Sequence, residues 1–182
     1  FQIPYNNPAE LRPALRLDIQ DASIWPLGPD VIRTHLLRHL CLQAVDLGLV
    51  ATPMTYFAAH HLGTNCAVMV TGSHNPPDYN GLKMVLAGET LSGETIQDLR
   101  RRIETGDFLS GAGGYRQHDI AGEYIARIVS DVKLTRPMRI VVDSGNGVAG
   151  AYAPRLYRAT GCAVEEMYCE VDGRYPNHHP DP

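Results

Sequence analysis

The chain has 182 residues, 44% apolar, 20% charged and 7% aromatic, a composition that excludes the disordered and fibrous classes. Its net charge of -4, from 16 basic and 20 acidic residues, argues against a nucleic-acid or anionic-membrane partner held by bulk electrostatics. The longest apolar runs, such as Ala67 to Val70, fall far short of the roughly 20 residues that a membrane-spanning helix needs.

Before residue 28, Pro4, Pro8, Pro13 and Pro26 oppose a long helix, and no periodicity or repeat is visible. No basic stretch leads into an apolar one there, so the start does not read as a secretory signal and a cytoplasmic location is expected. From Pro29 onward helical and strand patterns alternate, the signature of an α/β fold. Ile32, Leu36 and Leu40 predict a helix over residues 29–40, and Leu42 to Leu47 a short strand. Pro53 to Leu62 reads as a helix whose terminal His60 and His61 suit the negative end of its dipole. Cys66 to Val70 is a continuous apolar strand, a pattern that predicts burial on both faces.

Gly81 to Ala87 follows as a strand, then Leu91, Ile96, Leu99 and Ile103 predict a helix with Ser92 as N-cap. Arg100 to Arg102 point about 100° apart on that helix, which suits a solvated face better than a phosphate-binding stripe. Glycines 106, 111, 113 and 114 break the pattern over residues 107–115 and mark the expected boundary between domains at 1–113 and 114–182. Beyond it come a helix on Ile120, Tyr124, Ile128 and Val132, a strand over Met138 to Val142, a helix over Val148 to Thr160 and a strand over Ala163 to Cys169. These few elements begin an α/β unit without closing it, so Ile140, Val142 and Val164 are expected to present open apolar faces. Cys41, Cys66, Cys162 and Cys169 form no C-x-x-C pair, and Cys162 and Cys169 would stand roughly 23 Å apart on an extended strand, too far for a disulfide. Four free thiols suit a reducing compartment.

The densest chemistry lies in Thr71-Gly72-Ser73-His74-Asn75-Pro76-Pro77-Asp78-Tyr79-Asn80-Gly81-Leu82-Lys83. It puts Ser73 just past the carboxyl end of a strand, where α/β sheets place ligands, with Gly72 permitting close backbone approach and two prolines stiffening the turn. A hydrolytic serine would need a G-x-S-x-G elbow, which is missing here, and adjacent side chains on an extended loop diverge, so His74 is poorly placed as a base for Ser73. A serine that carries phosphate needs exposure and a neighbouring cation, for which Lys83 is the candidate.

With its continuation through Ala87-Gly88-Glu89-Thr90-Leu91, this loop closely resembles the active-site serine loop of the α-D-phosphohexomutases of the phosphomannomutase/phosphoglucomutase type. Val141 to Gly150 is similar to the family's second-domain turn and Asp172 to Pro182 to its next loop, so the likeness runs over about residues 28 to 182. The resemblance implies an α/β fold, a mixed sheet with flanking helices, followed by the start of a second similar domain. It implies that Ser73 is the phosphoserine that donates phosphate to, and reclaims it from, a hexose phosphate by way of a hexose bisphosphate. Lys83 and His74 would serve the transfer, Asn75 would meet the substrate, and Mg²⁺ would bind the phosphate on Ser73.

The family's other parts are missing from these residues: the A-Y-D-I-R-G start, the D-G-D-G-D-R metal loop, the G-E-M-S-G-H sugar loop and the fourth domain. The chain is therefore expected to be the first domain with an atypical beginning plus the start of the second, nearly inert without its C-terminal domains, and silent on mannose against glucose. A degenerate, non-catalytic fragment is the alternative. Gly145-Asn146-Gly147-Val148-Ala149-Gly150 also spells the dinucleotide fingerprint G-x-G-x-x-G, with Glu165 at the right distance for a ribose contact. Asp143, two residues before the first glycine, would set a carboxylate beside the pyrophosphate, which counts against that reading. His178 and His179 adjoin Asp172 and Asp181 but point apart on an extended loop, so a structural or interdomain role is expected rather than metal ligation.

Overall fold

The computed structural model describes residues 2–4, 44–72, 79–107 and 114–178. The helix expected over residues 29–40, Cys41 and the loop residues Ser73, His74 and Asn75 lie outside the described residues. The class is mixed α/β, and the described residues fall into two compact units, one within Phe1–Asp46 and Thr64–Gln117, the other within Leu47–Gly63 and His118–Pro182.

In the first unit an antiparallel sheet has the order β1 (Gln2–Pro4), β4 (Tyr79–Leu86), β3 (Ala67–Thr71), with β5 (Glu89–Thr90) also on β4. β1 lies in the proline-rich start that shows no periodicity; among the described residues it is an edge strand, the place in a sheet that tolerates a proline such as Pro4. Val68 faces Met84 and Val70 faces Leu82 across the ladder. The expectation that β3 is buried on both faces fails, since Val68 is 51% exposed. An antiparallel sheet can leave one face to solvent, whereas the continuous apolar run had suggested a strand covered on both sides. Ala87 and Gly88, with φ of 52° and 83°, turn the chain between Leu86 and its partner Glu89, the double left-handed geometry of a tight hairpin.

β2 (Ala44–Asp46) and β6 (Tyr115–Gln117) form a parallel pair, and the Tyr115 hydroxyl donates to the Asp46 carboxylate at 2.6 Å. The helix α2 (Glu94–Thr105) begins after Gly93, so Ser92 is not its cap; the Thr95 hydroxyl instead accepts from the Ser92 N–H at 3.1 Å and donates to the Ser92 carbonyl at 2.7 Å. It ends on Gly106 at φ 68°, where Asp107 N–H reaches back to the Arg102 carbonyl at 2.9 Å, a Schellman closure that favours glycine. Arg100, Arg101 and Arg102 are paired with Glu104, Asp98 and Asp107, all exposed, as the helical spacing anticipates. Such exposed pairs contribute little to stability.

Among the described residues, the larger core lies in the second unit. Helix α1 (Thr52–His61), with Pro53 in the first turn where its missing N–H is harmless, buries Met54, Thr55, Ala58 and Ala59. Val50, Met54 and Ala58 pack with Ile120 and Ala121 at the start of α3 (Ala121–Asp131). Phe57 meets Tyr124 edge-on at 5.4 Å between ring centres. His61 Nε2 lies 2.8 Å from Glu123, whose other oxygen is 3.0 Å from His118 Nε2. β7 (Arg139–Asp143) and β8 (Ala163–Met167) pair in parallel, Ile140 opposite Val164, with helix between them, so the expected βαβ unit forms.

Two expectations for this unit are corrected. The helix over Val148 to Thr160 is broken into a 3-10 turn (Val148–Ala151) and α4 (Ala153–Ala159), because Pro154 has no N–H to give a continuous helix and sits instead in the first turn of a new one. Val142 is buried and Ile140 half-buried, with Ile128 and Leu156 beside Ile140 along an apolar groove of about 240 Å³; the open residues are Val141 and Met167, on the opposite face, at 57% and 41% exposure. Alternation explains the switch: α4 packs on β8 and α3 on α4, which covers one face of the pair only. Among the described residues, no helix is long and apolar enough to cross a membrane.

Candidate functional site

The strands that carry the serine loop are in place. β3 ends at Thr71 and β4 begins at Tyr79, with Thr71 and Gly81 as register partners, so the two strand ends that flank the serine segment are neighbours in the sheet. Lys83 is exposed and sits opposite Met69, two residues beyond Gly81 in β4. Side chains two apart on a strand share a face, which puts Lys83 on the face of Thr71. Ser73, His74 and Asn75 lie outside the described residues, so Lys83 is the one member of the expected set whose position is described.

At the carboxyl ends of β7 and β8, polar residues of Asp143–Asn146 and Tyr168–His178 come together in a second group. Asn146, at φ 62°, is 5% exposed and acts as a hub: its N–H donates to the Tyr168 carbonyl at 2.7 Å and its Nδ2 to the Glu170 carbonyl at 2.9 Å. It accepts from Asn177 Nδ2 at 2.7 Å on its side-chain oxygen and from the Asp172 N–H at 2.9 Å on its carbonyl. His178 Nε2 stands 3.1 and 3.2 Å from the two oxygens of Asp143, and its ring meets Tyr168 edge-on at 5.7 Å between centres. The hydrogen bond to His178, followed by that from the Gly145 N–H, holds the Asp143 carboxyl below the ordinary carboxylate range. Arg174 grips Asp172 through its guanidinium and its own N–H, pulling that carboxyl down to about 2.

His178 thus has the structural role expected of it, within a single unit, and His179 lies outside the described residues. Asp143 was visible in the sequence as part of the 141–150 turn and as an obstacle to a dinucleotide, not as a partner of His178; the signal that could have found the pair is the run of Gly, Asn and Asp in both turns, since such residues bind their own backbone. Among the described residues, no group of three or more His, Cys, Asp or Glu side chains could hold a metal ion.

Compared with known proteins, residues 37–110 match the phosphoglucomutase/phosphomannomutase alpha/beta/alpha domain I and residues 122–182 match domain II. The chain belongs to the phosphoglucomutase/phosphomannomutase family. It is 52% identical over 158 residues to a Pseudomonas aeruginosa phosphomannomutase/phosphoglucomutase, a match that covers 85% of this chain and 34% of the relative. It is 49% identical over 160 residues to a Neisseria meningitidis phosphoglucomutase, covering 85% of this chain and 35% of that one. A solved phosphoglucomutase/phosphomannomutase family protein from Burkholderia thailandensis superposes with a TM-score of 0.75 at 46% identity, over 85% of this chain and 36% of that chain. The chain therefore spans about a third of the length of the curated relatives it matches.

Proposed function

We propose that this chain supplies the N-terminal part of a phosphohexomutase that interconverts hexose 1-phosphate and hexose 6-phosphate through a phosphorylated Ser73. The observation that supports it most is the pairing of Thr71 with Gly81: the serine loop is closed at its base by two adjacent strands, which fixes where it leaves the sheet. In this reading phospho-Ser73 passes its phosphoryl group to the free hydroxyl of a hexose monophosphate, giving a hexose bisphosphate and an unmodified serine. The bisphosphate then turns over, and its other phosphoryl group returns to the Ser73 oxygen. Catalysis of such transfers rests on positioning and on neutralising charge at the moving group. Lys83, on the same sheet face as the base of the loop, would supply positive charge, and His74 and Asn75 would line the serine's own turn.

The phosphate on Ser73 would hold Mg²⁺, which would neutralise part of the charge on the phosphoryl group. The partners are the hexose phosphates and the further domains that the longer relatives carry. A cytoplasmic location is part of the same reading, supported by the free thiols of Cys66, Cys162 and Cys169.

A polypeptide of these 182 residues is expected to show no turnover by itself, so the test uses a chimera in which the matched segment replaces the corresponding third of the Pseudomonas aeruginosa relative. Incubation with a hexose 1,6-bisphosphate should leave phosphate on Ser73, located by mass spectrometry, and Ser73→Ala should abolish it. Phosphate on a different residue of the segment would overturn the assignment.

A further inference from the structure

The loop from Tyr168 to His178 is fastened to the β7 turn at two kinds of point. Around Asn146 the fastening is made by amides and carbonyls, which do not titrate in the ordinary range. At the loop's far end it is made by His178 and Asp143, which do. The His178 ring also lies directly over Gly145, where a Cβ would stand 2.7 Å from the ring carbon Cε1. Tyr168 and Tyr175 hold φ of 48° and 51°, a left-handed backbone that bulky residues adopt only when their surroundings impose it. The loop is thus a strained segment whose last fastening is ionisable.

We propose that His178 and Asp143 form a proton-operated clasp that closes the Tyr168–His178 loop over the carboxyl edge of the β7–β8 pair. Asp143 of β7 and Tyr168 of the loop itself face the imidazole, while Asp172 and Arg174 engage each other. With the imidazole protonated and the carboxylate ionised, two charge-assisted contacts reach the ring nitrogen. Raising the pH through the histidine's titration removes the positive charge and weakens the clasp. Lowering it through the Asp143 titration, which the pair itself displaces downward, removes the negative charge with the same result. Closure is therefore strongest in the window between the two titrations, and opening exposes the Gly145 backbone that the ring covers.

Hydrogen exchange of the full chain, corrected for intrinsic rates, tests the proposal at about pH 5.5 and about pH 8, on either side of the ordinary imidazole range. The Asp172 and Tyr175 amides, both bonded inside the fastened loop, should lose about two- to fivefold in protection at the higher pH, the range an exposed ion pair supports, while the Ala163 amide stays constant. In His178→Gln the change should vanish. Equal protection at both pH values, or the same loss in His178→Gln, would refute the clasp. A measurement on the unaltered chain covers the case in which the variant does not fold: the Tyr168 ring protons, in contact with His178, should shift with the same midpoint as the imidazole proton on Cε1. A Tyr168 signal that stays flat through the His178 titration would also overturn the proposal.

Discussion

Replacing Asn146 separates two contributions that meet at one residue. Asn146→Ala removes the side-chain hydrogen bonds to the Glu170 carbonyl and from Asn177 Nδ2, each worth about 0.5–1.5 kcal/mol net. It also places alanine at φ 62°, which costs about 1–2 kcal/mol for a residue with a Cβ and no local hydrogen bond to offset it. The expected loss is about 2–5 kcal/mol, a large share of a small domain's stability. Asn146→Gly loses the same two bonds without the left-handed penalty and should be about 1 kcal/mol more stable than the alanine variant. Asn146→Asp keeps the acceptor for Asn177 but sets a buried carboxylate oxygen against the Glu170 carbonyl where a donor stood, and should lose at least as much as the alanine variant. Urea titration followed by hydrogen exchange of the Ala163 amide, which bonds to the Met138 carbonyl where β7 and β8 begin, reports on this unit alone. If alanine and glycine prove equal, or glycine is the worse of the two, the left-handed backbone is not what selects asparagine here, and the reasoning fails.

Gly150→Ala should be the most damaging single methyl addition in this unit, because the new Cβ would fall 2.1 Å from the Cys169 carbonyl oxygen and neither backbone can yield; thermal melts should show a loss of about 3 kcal/mol or more. Asp172 should titrate near pH 2 by carboxyl NMR, and in Arg174→Gln its midpoint should climb toward the ordinary carboxylate range; an unchanged midpoint would show that the fork is not formed in solution. Since its folded-state value lies below the unfolded one, the pair's contribution is present at neutral pH and disappears as the pH falls toward 2. Lys83→Gln, an exposed strand position, should keep stability within about 0.5 kcal/mol while slowing phosphate transfer to Ser73 in the chimera; an unchanged transfer rate would remove Lys83 from the site.

How much of this was legible depended on whether an element buries a patterned face. α1, α3, β3, β7 and β8 were visible from apolar periodicity or runs, and their ends moved by only a residue or two because the pattern continues past the last hydrogen bond. β6 was not: Tyr115, Arg116 and Gln117 are all exposed, so nothing in their hydrophobicity marks a strand whose existence depends on a partner, β2, far away in sequence. The start of α2 slipped from Ser92 to Gly93 because Ser92 uses its backbone groups, not its hydroxyl, to meet Thr95. The serine loop was legible through its resemblance to a family, since a short polar stretch between strands has no periodicity of its own.

The glycine motif shows why letters at the right spacing do not determine a ligand. A dinucleotide turn works because its N–H groups, at the head of a helix, are unpaired and point at the pyrophosphate. Here the Gly145 N–H goes to Asp143, that of Asn146 to Tyr168, that of Gly147 to Ser144 and that of Gly150 to Gly147. Each would have to be broken before it could meet a phosphate. A short 3-10 turn follows rather than a helix, so there is also no aligned row of peptide dipoles to favour an anion. The glycines answer a different demand: Gly145 leaves room for the His178 ring and Gly150 for the Cys169 backbone. Both contacts come from the Tyr168–His178 loop and its approach, so the same six residues that suggest a cofactor in the sequence are, in the folded chain, the socket for a neighbouring loop.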